Sequence, residues 1–257
     1  MYPSFFFSHG EPTLVLEHHA YTRFLRALGM QLPKPAGIVV FSSQWKSSVQ
    51  KITGSQRLKT MKDVFGLPEA LSEFEYPAQG DIVLTLKLQR LLEAEGIACE
   101  VDEVHGLDHG AWSVLSLLFP EADVPVVAAS VNPRLVPEDC YRIGRAIGEL
   151  KESGYLILGI GGTVHHPLRM DWEREAAVDA WALEFDAWLE ETVQVWDTEG
   201  LFDYMARAPY AEKAVPAPEE LIPLIISMGV SDRKKRTKLL HQEYQYGNMS
   251  LNCYMFS

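Results

Sequence analysis

The chain has 257 residues, of which 47% are hydrophobic and 23% are charged, and its formal net charge is −12. This length is ample for one domain with a sizeable core, while the acidic excess argues against nucleic acid and anionic membranes as partners, because nothing would neutralise phosphate groups. Three widely spaced cysteines exclude a disulfide framework and a cysteine-based zinc site, and without a signal-peptide pattern or a run of about 20 apolar residues we expect a cytoplasmic protein.

Short apolar runs alternate along the chain with segments of helical period. In chain order, the pattern predicts a strand over 5–7, a helix over 17–28, a buried strand over 37–42, a helix over 81–95, a strand over 98–104, a helix over 112–119, a strand over 124–131, a helix over 137–153, a strand over 155–160, helices over 173–195 and 219–229, and a terminal strand over 249–256.

This alternation predicts a single α/β domain over residues 1–257, in which helices flank a mostly parallel or mixed central sheet. The segment 46–76 fits neither period and is predicted to be a long irregular loop. Loops of that length inside compact domains are often functional.

Polar segments follow four of the predicted strands, and three of those segments contain histidine. The histidines concerned are His9, His105, His109, His165 and His166. Ligands of open α/β sheets bind beyond the carboxyl ends of the strands, and histidine is the commonest metal ligand and acid/base near neutral pH. Any one of them could be a loop or capping residue, but five at one predicted edge favour a functional site. Asp108 either orients the imidazole of its neighbour His109 or caps a turn.

Histidines elsewhere in the chain are predicted to be structural, and they are His18, His19 and His241. HExxH, GxSxG, P-loop and GxGxxG motifs are missing from the sequence. Zinc peptidases, serine hydrolases and nucleotide-binding proteins are therefore poorly supported alternatives.

Seven ordered segments, spread over nearly the whole chain, contain most of these polar residues. They read Ser-His-Gly-Glu-Pro (8–12), Ile-Val-Val-Phe-Ser-Ser-Gln-Trp (38–45), Asp-Val-Phe-Gly-Leu-Pro (63–68) with Tyr-Pro-Ala (76–78), Leu-Asp-His-Gly-Ala-Trp (107–112), Val-His (164–165), Pro-Ala-Pro-Glu-Glu (216–220) with Pro-Leu (223–224), and Gly-Asn-Met-Ser (247–250). As an ordered set, these segments resemble the class III extradiol dioxygenases of the DOPA 4,5-dioxygenase type.

The resemblance implies an oxidoreductase that opens a catechol-type aromatic ring with O2, so that a small aromatic molecule and O2 would be its partners. It also implies Fe(II) as the cofactor, with Zn(II) in some members. By the same resemblance, His9 would be a metal ligand, His165 the general acid/base, and His109 a second catalytic residue that lines the pocket.

Two ligand positions of the family carry other residues in this chain. Gln44 and Glu220 stand where the family usually has histidine, so the inferred metal ligands are His9, Gln44 and Glu220. An amide oxygen in place of an imidazole makes the site harder, so we expect lower affinity for Fe(II) or Zn(II) and a shift towards Mn(II), Mg(II) or an empty site.

The expected substrate contacts are Lys62, Trp45 and His166. Lys62 stands where the family usually has histidine, and its ammonium would attract a carboxylate of the substrate. The altered ligands leave two other functions open. One is a diverged metal enzyme with non-oxidative chemistry and His165 as its base, and the other is a metal-free relative without catalytic activity.

Overall fold

A mixed eight-stranded sheet forms the centre of this computed structural model, which describes residues 2–64, 66 and 68–257. The strands are β1 (Ser4–Ser8), β2 (Gly37–Lys46), β3 (Gln50–Thr53), β4 (Cys99–Asp102), β5 (Val126–Val131), β6 (Tyr155–Gly161), β7 (Thr237–His241), β8 (Tyr244–Gln245), β9 (Met249–Ser250) and β10 (Cys253–Phe256). Their order is β4-β3-β5-β2-β6-β1-β10-β7, and β8 pairs with β9 separately. Because β5, β2, β6 and β1 run parallel while β3 runs antiparallel to β5 and β10 antiparallel to β1, the predicted α/β class with a mixed sheet is confirmed.

Helices cover both faces of this sheet. They are α1 (Ala20–Gln31), α2 (Glu69–Ser72), α3 (Ile82–Ala94), α4 (His109–Leu118), α5 (Pro137–Ala146), α6 (Ala180–Gln194), α7 (Thr198–Phe202), α8 (Tyr204–Arg207), α9 (Ala211–Ala214) and α10 (Ile222–Val230), with 3-10 helices over Pro12–Leu16, Gly148–Lys151, Pro167–Arg169 and Pro218–Glu220. In the part of the chain that the structure describes, no helix has both the length and the apolar character to cross a membrane.

Alternate side chains of β2 enter two separate apolar cores. Val39 and Phe41 pack into one core with α3, α5, α6 and α10, whereas Ile38 and Val40 pack into the other with α1 and α4. Because successive side chains of a strand point to opposite faces, a continuous apolar run such as this one is buried on both sides, as the sequence predicted.

Several element boundaries differ from the prediction. Residues 173–179 precede α6 rather than belonging to it, because the helix begins at Ala180 after Asp179 at its N-cap. The predicted terminal strand is divided between β9 and β10. The predicted loop 46–76 contains β3 and α2, while Phe65 and Leu67 of that segment lie outside the described residues.

The carboxyl ends of β1, β2 and β6 lie at one edge of the sheet because the three strands are parallel neighbours. The prediction that the polar segment after β4 shares this edge through the direction of its strand is wrong. β3 is antiparallel to β5 and β4 is parallel to β3, so β4 runs against the central strands. His109 reaches the edge only after the chain has turned back, at the beginning of α4.

A buried polar cluster joins α6 to the C-terminal segment of the chain. Oδ2 of Asp186 accepts hydrogen bonds from the Tyr244 hydroxyl at 2.7 Å and from Nδ2 of Asn252 at 2.9 Å. Oδ1 of Asp186 and Oδ1 of Asn252 are buried without a hydrogen-bond partner among the described residues. Burial raises the pKa of Asp186 to about 6, although hydrogen bonds from its neighbours oppose the shift.

We expect Asp186→Asn to become progressively more stable than the wild type as the pH rises from 4 to 7. The raised pKa of Asp186 means that the folded state prefers the protonated acid. Protonated Asp186 therefore stabilises the folded wild type fully below about pH 4, and this stabilisation is lost as the pH rises through 6. A shift of that size corresponds to about 3 kcal/mol in the free energy of unfolding. Urea unfolding at both pH values measures the difference, with the exposed Asp203→Asn as control. An equal difference at pH 4 and pH 7 would contradict the assignment.

Candidate metal centre

Three separate elements bring His9, Gln44 and Glu220 together. His9 directly follows β1, and its backbone N–H donates to the carbonyl of Gly161 at the end of β6 at 3.0 Å. Gln44 lies within β2. Glu220 ends the 3-10 helix Pro218–Glu220, and its carbonyl accepts the backbone N–H of Gly162 at 3.0 Å. These backbone hydrogen bonds fasten two of the side chains to the end of β6.

The ends of the three side chains lie at the corners of a small triangle, each within hydrogen-bond distance of the other two. Nε2 of His9 lies 3.0 Å from Oε2 of Glu220 and 3.1 Å from Nε2 of Gln44. The amide Nε2 of Gln44 in turn donates to Oε1 of Glu220 at 3.1 Å. His9 is 4% exposed and the Glu220 side chain 12%, so the triangle is largely shielded from solvent.

This triangle fits a divalent cation. Ligand atoms at about 2.1 Å from a metal and at right angles to one another are about 3 Å apart, close to the separations of Nε2 of His9 from Oε2 of Glu220 and from the Gln44 amide. Nδ1 of His9 donates to the carbonyl of Gly10 at 2.6 Å, so Nε2 is the ring nitrogen that faces the cluster, and it would bind a cation once its own proton is lost. Gln44 would bind through Oε1, which a half-turn of its terminal amide brings to the place of Nε2. His9, His165 and Glu220 also each offer a donor atom within 4.8 Å of one another.

Ser43 is a member of the cluster that was not predicted from the sequence. Its hydroxyl donates to Oε2 of Glu220 at 3.1 Å and accepts from Nε2 of Gln44 at 3.1 Å. Neighbouring residues of a regular strand point to opposite faces, so strand periodicity argued against both Ser43 and Gln44 facing one site. The pairing register of β2 with β5 shifts between Phe41 and Lys46, and such an irregularity re-aims side chains.

The charges of the cluster are coupled. Burial by itself lowers the pKa of His9, but the adjacent Glu220 carboxylate raises it to about 9. Burial by itself raises the pKa of Glu220, but His9, His165 and the Ser43 hydroxyl lower it to about 2. The two residues therefore form a buried ion pair. Burial lowers the pKa of His165 to about 4, so this imidazole is neutral at neutral pH.

The two histidines predicted to be catalytic both lie close to His9. The ring of His109 is 5.7 Å from the His9 ring, centre to centre, and the ring of His165 is 6.0 Å from it, each with an edge-on orientation. The backbone N–H of His165 donates to the carbonyl of Ala214 at 3.1 Å. The structure thus brings together the five residues that were assigned to metal binding and catalysis from the sequence.

The three residues predicted to contact substrate lie in different surroundings. Trp45 is buried, and its ring stacks on His105 at 3.8 Å, so one face of the indole is covered. Lys62 donates to the carbonyl of Leu71 at 3.1 Å and to that of Phe74. The roles of Trp45 and Lys62 as substrate contacts therefore stay predictions.

His166, the third of these contacts, is half-buried beside His165. Its backbone N–H donates to Oδ1 of Asn248 at 3.2 Å, while its ring Nδ1 is buried and has no hydrogen-bond partner among the described residues. A buried, unsatisfied ring nitrogen remains available to a ligand.

Comparison with known proteins adds independent information. Residues 7–256 match the family model described as the catalytic LigB subunit of aromatic ring-opening dioxygenase. A 4,5-DOPA dioxygenase extradiol of Portulaca grandiflora is 34% identical over 99% of this chain and 95% of its own length. The protein with the same description in Escherichia coli strain K12 is 29% identical over 97% of this chain and 92% of its own length. The crystal structure of an uncharacterized Escherichia coli K12 protein superimposes with a TM-score of 0.86, at 27% identity and 100% coverage of both chains.

Proposed function

This chain belongs to the family of the catalytic LigB subunit of aromatic ring-opening dioxygenase, and we propose that it is a metal-dependent extradiol dioxygenase that opens a catechol-type ring with O2. The observation that carries the proposal is the triangle of His9, Gln44 and Glu220 with His109 and His165 beside it. The description of several relatives as 4,5-DOPA dioxygenase extradiol supports the same reaction class.

In this proposal His9, Gln44 and Glu220 hold the cation, with Fe(II) as the expected metal and Zn(II), Mn(II) or Mg(II) as alternatives. Such a cation, when bound, supplies Lewis acidity that lowers the pKa of a substrate hydroxyl. Ser43 keeps the Glu220 carboxylate oriented through its hydrogen bond. Glu220 is the anionic member of the set, and burial of its side chain excludes competing water.

The protons are handled by the two flanking histidines. His165 accepts the proton of the substrate hydroxyl at a ring nitrogen and later returns one, a role suited to an imidazole beside the cation site. His109 lines the same pocket, and its Nδ1 is already engaged by Asp63, so Nε2 is the nitrogen available to substrate or O2. Holding the substrate and O2 between these groups lowers the reaction barrier, because the reactants no longer have to meet in the right orientation by diffusion.

To test the proposal, the protein is first loaded with Fe(II) under anaerobic conditions, and turnover is then measured after O2 has been admitted. We expect O2 uptake in step with the appearance of ring-fission absorbance for at least one member of a catechol panel that includes DOPA. Iron-loaded protein that consumes no O2 with any member of the panel would reject the dioxygenase. Metal retention without O2 uptake would favour the non-oxidative enzyme, and protein that binds no divalent metal would favour the non-catalytic relative.

Lys62 remains our proposed contact for a substrate carboxylate. Removing its charge in Lys62→Met should raise KM about fivefold for a carboxylate-bearing catechol, equivalent to about 1 kcal/mol, and leave KM for unsubstituted catechol unchanged. Steady-state kinetics with the two substrates measures the difference. Lys59→Met, an exposed lysine on the same segment, is the matched control. Equal effects on both substrates would show that Lys62 supports the loop and not the carboxylate.

A further inference from the structure

We propose that Asp63 is the positioning residue for His109, and that its carboxylate sets both the orientation and the tautomer of that imidazole. By sequence alone, Asp108 could have this role as the direct neighbour of His109, or could cap a turn. The proposal rests on the proposed function only in so far as His109 acts on substrate or O2.

Asp108 is occupied elsewhere. Its Oδ1 accepts the backbone N–H of Ala111 at 2.9 Å and the hydroxyl of Ser42 at 2.7 Å, and the residue is the N-cap of α4. Its other oxygen, Oδ2, is buried without a hydrogen-bond partner among the described residues. Asp108 therefore caps the helix, and the imidazole of His109 is held by another residue.

Asp63 holds His109 at two points. Its Oδ1 accepts the backbone N–H of His109 at 3.1 Å, and its Oδ2 lies 2.9 Å from Nδ1 of the ring. Because an ionised carboxylate only accepts hydrogen bonds, Nδ1 carries a proton, and in the neutral imidazole Nε2 is then the nitrogen with the lone pair. Burial raises the pKa of Asp63, but the hydrogen bonds and charge of His109 lower it below its ordinary value, consistent with an ionised carboxylate. The first turn of α4 also favours a negative charge.

The segment that carries Asp63 is itself fastened to α4. The backbone N–H of Met61 donates to the carbonyl of Leu107 at 2.8 Å, and the indole N–H of Trp112 donates to the carbonyl of Met61 at 3.0 Å. Trp112 is fully buried and lies one helical turn after His109. Asp63 is therefore fixed relative to α4, as a residue that orients a catalytic imidazole must be.

This arrangement has a chemical consequence at the metal centre. The His109 side chain is 12% exposed and stands edge-on to His9. With Asp63 bound to Nδ1, Nε2 is the other nitrogen of a ring held in one orientation, and in the neutral ring it is unprotonated. Without the carboxylate, the ring can exchange its proton between the two nitrogens and can adopt other rotamers. Loss of a hydrogen bond that orients an imidazole at a metal site typically costs about 10–100-fold in activity.

The experiment compares Asp63→Asn with Asp102→Asn as a matched control. Asp102 also accepts two backbone N–H groups in a loop, from Val104 and His105, but neither of these hydrogen bonds involves an imidazole ring. Long-range 15N–1H NMR of the metal-free proteins reports the His109 tautomer, with His109→Gln for assignment. We expect the proton on Nδ1 in the wild type and in Asp102→Asn, and a mixed or reversed tautomer in Asp63→Asn.

The kinetic readout separates positioning from a general structural effect. Asp63→Asn of the metal-loaded protein should lower kcat about 10–100-fold while KM and the dissociation constant of Co(II) change less than about twofold, because neither substrate nor metal is held by Asp63. Asp63→Glu keeps the negative charge, so it should retain the Nδ1 tautomer and more of kcat than the amide variant. If Asp63→Asn does not fold, Asp63→Glu serves as the test.

An unchanged His109 tautomer in Asp63→Asn, or an unchanged kcat, would overturn the proposal. The NMR readout needs no turnover, so an inert wild-type protein would defeat the proposed function and still leave the role of Asp63 decided by the tautomer.

Discussion

His9→Ala should abolish retention of the metal and lower kcat/KM of the Fe(II)-reconstituted protein by at least about 10³-fold. His9 is the one histidine among the three proposed ligands, so its loss leaves a neutral amide and a carboxylate, which bind Fe(II) weakly. The substitution also leaves the buried Glu220 carboxylate without its ion-pair partner. Removing one member of a buried pair costs about 3–5 kcal/mol in the free energy of unfolding.

Three measurements test this expectation together. Metal content per chain after gel filtration, O2 uptake with the catechol panel, and urea unfolding should all change in His9→Ala. The exposed His18→Ala is the control and should match the wild type in all three. Stoichiometric metal in His9→Ala would mean that the cation is held elsewhere, and the proposed centre would have to be abandoned.

Gly161→Ala should damage the fold and the centre at once. A Cβ at this position would lie 2.1 Å from the carbonyl oxygen of Glu220 and 3.3 Å from Cγ of Pro223. Backbone cannot approach a methyl group so closely, so the 3-10 helix Pro218–Glu220 must move away from β6. Strain of this kind costs about 1–3 kcal/mol in the free energy of unfolding. Because the displaced residue is itself a proposed ligand, we expect the dissociation constant of the metal to rise at least about tenfold.

The matched control for Gly161→Ala is Gly96→Ala. Gly96 has a positive φ of 73°, and no atom lies within 4 Å of the place that a methyl group would occupy, so alanine there costs only the left-handed conformation, about 1 kcal/mol. Urea unfolding and competition with a chelating dye measure stability and metal affinity in both variants. Metal affinity equal to that of the wild type in Gly161→Ala would show that Glu220 is not positioned by β6.

The residues at positions 43, 44 and 220 depend on one another in the structure. Oε1 of Glu220 accepts from Gln44, and Oε2 accepts from Ser43 and faces His9. Both oxygens of the buried carboxylate are therefore satisfied, as a buried charge requires. In the metal-free protein the amide N–H of Gln44 therefore stabilises the carboxylate charge of Glu220. The half-turn that would present Oε1 of Gln44 to a cation gives up this hydrogen bond, and the charge of the cation takes over the stabilisation of the carboxylate.

The sequence by itself determined the alternation of strands and helices, because apolar periodicity depends on residues that are close along the chain. It also singled out His9, His109 and His165 as candidates, which the structure brings close together, since histidines near strand ends and an ordered set of motifs are visible without coordinates. The strand β3 and the start of α6 at Ala180 escaped prediction, because short strands and helix boundaries carry weak local signals.

Only the tertiary structure decided which side chains meet. Glu220 contacts His9 across 211 residues, Ser43 turns towards Glu220 through a local irregularity of β2, and Asp63 rather than the adjacent Asp108 holds the ring of His109. The direction of β4 was likewise set by its pairing with β3. Contacts of this kind depend on hydrogen-bond geometry between segments that are distant in sequence, and that geometry exists only once the sheet has formed and the helices have packed against it.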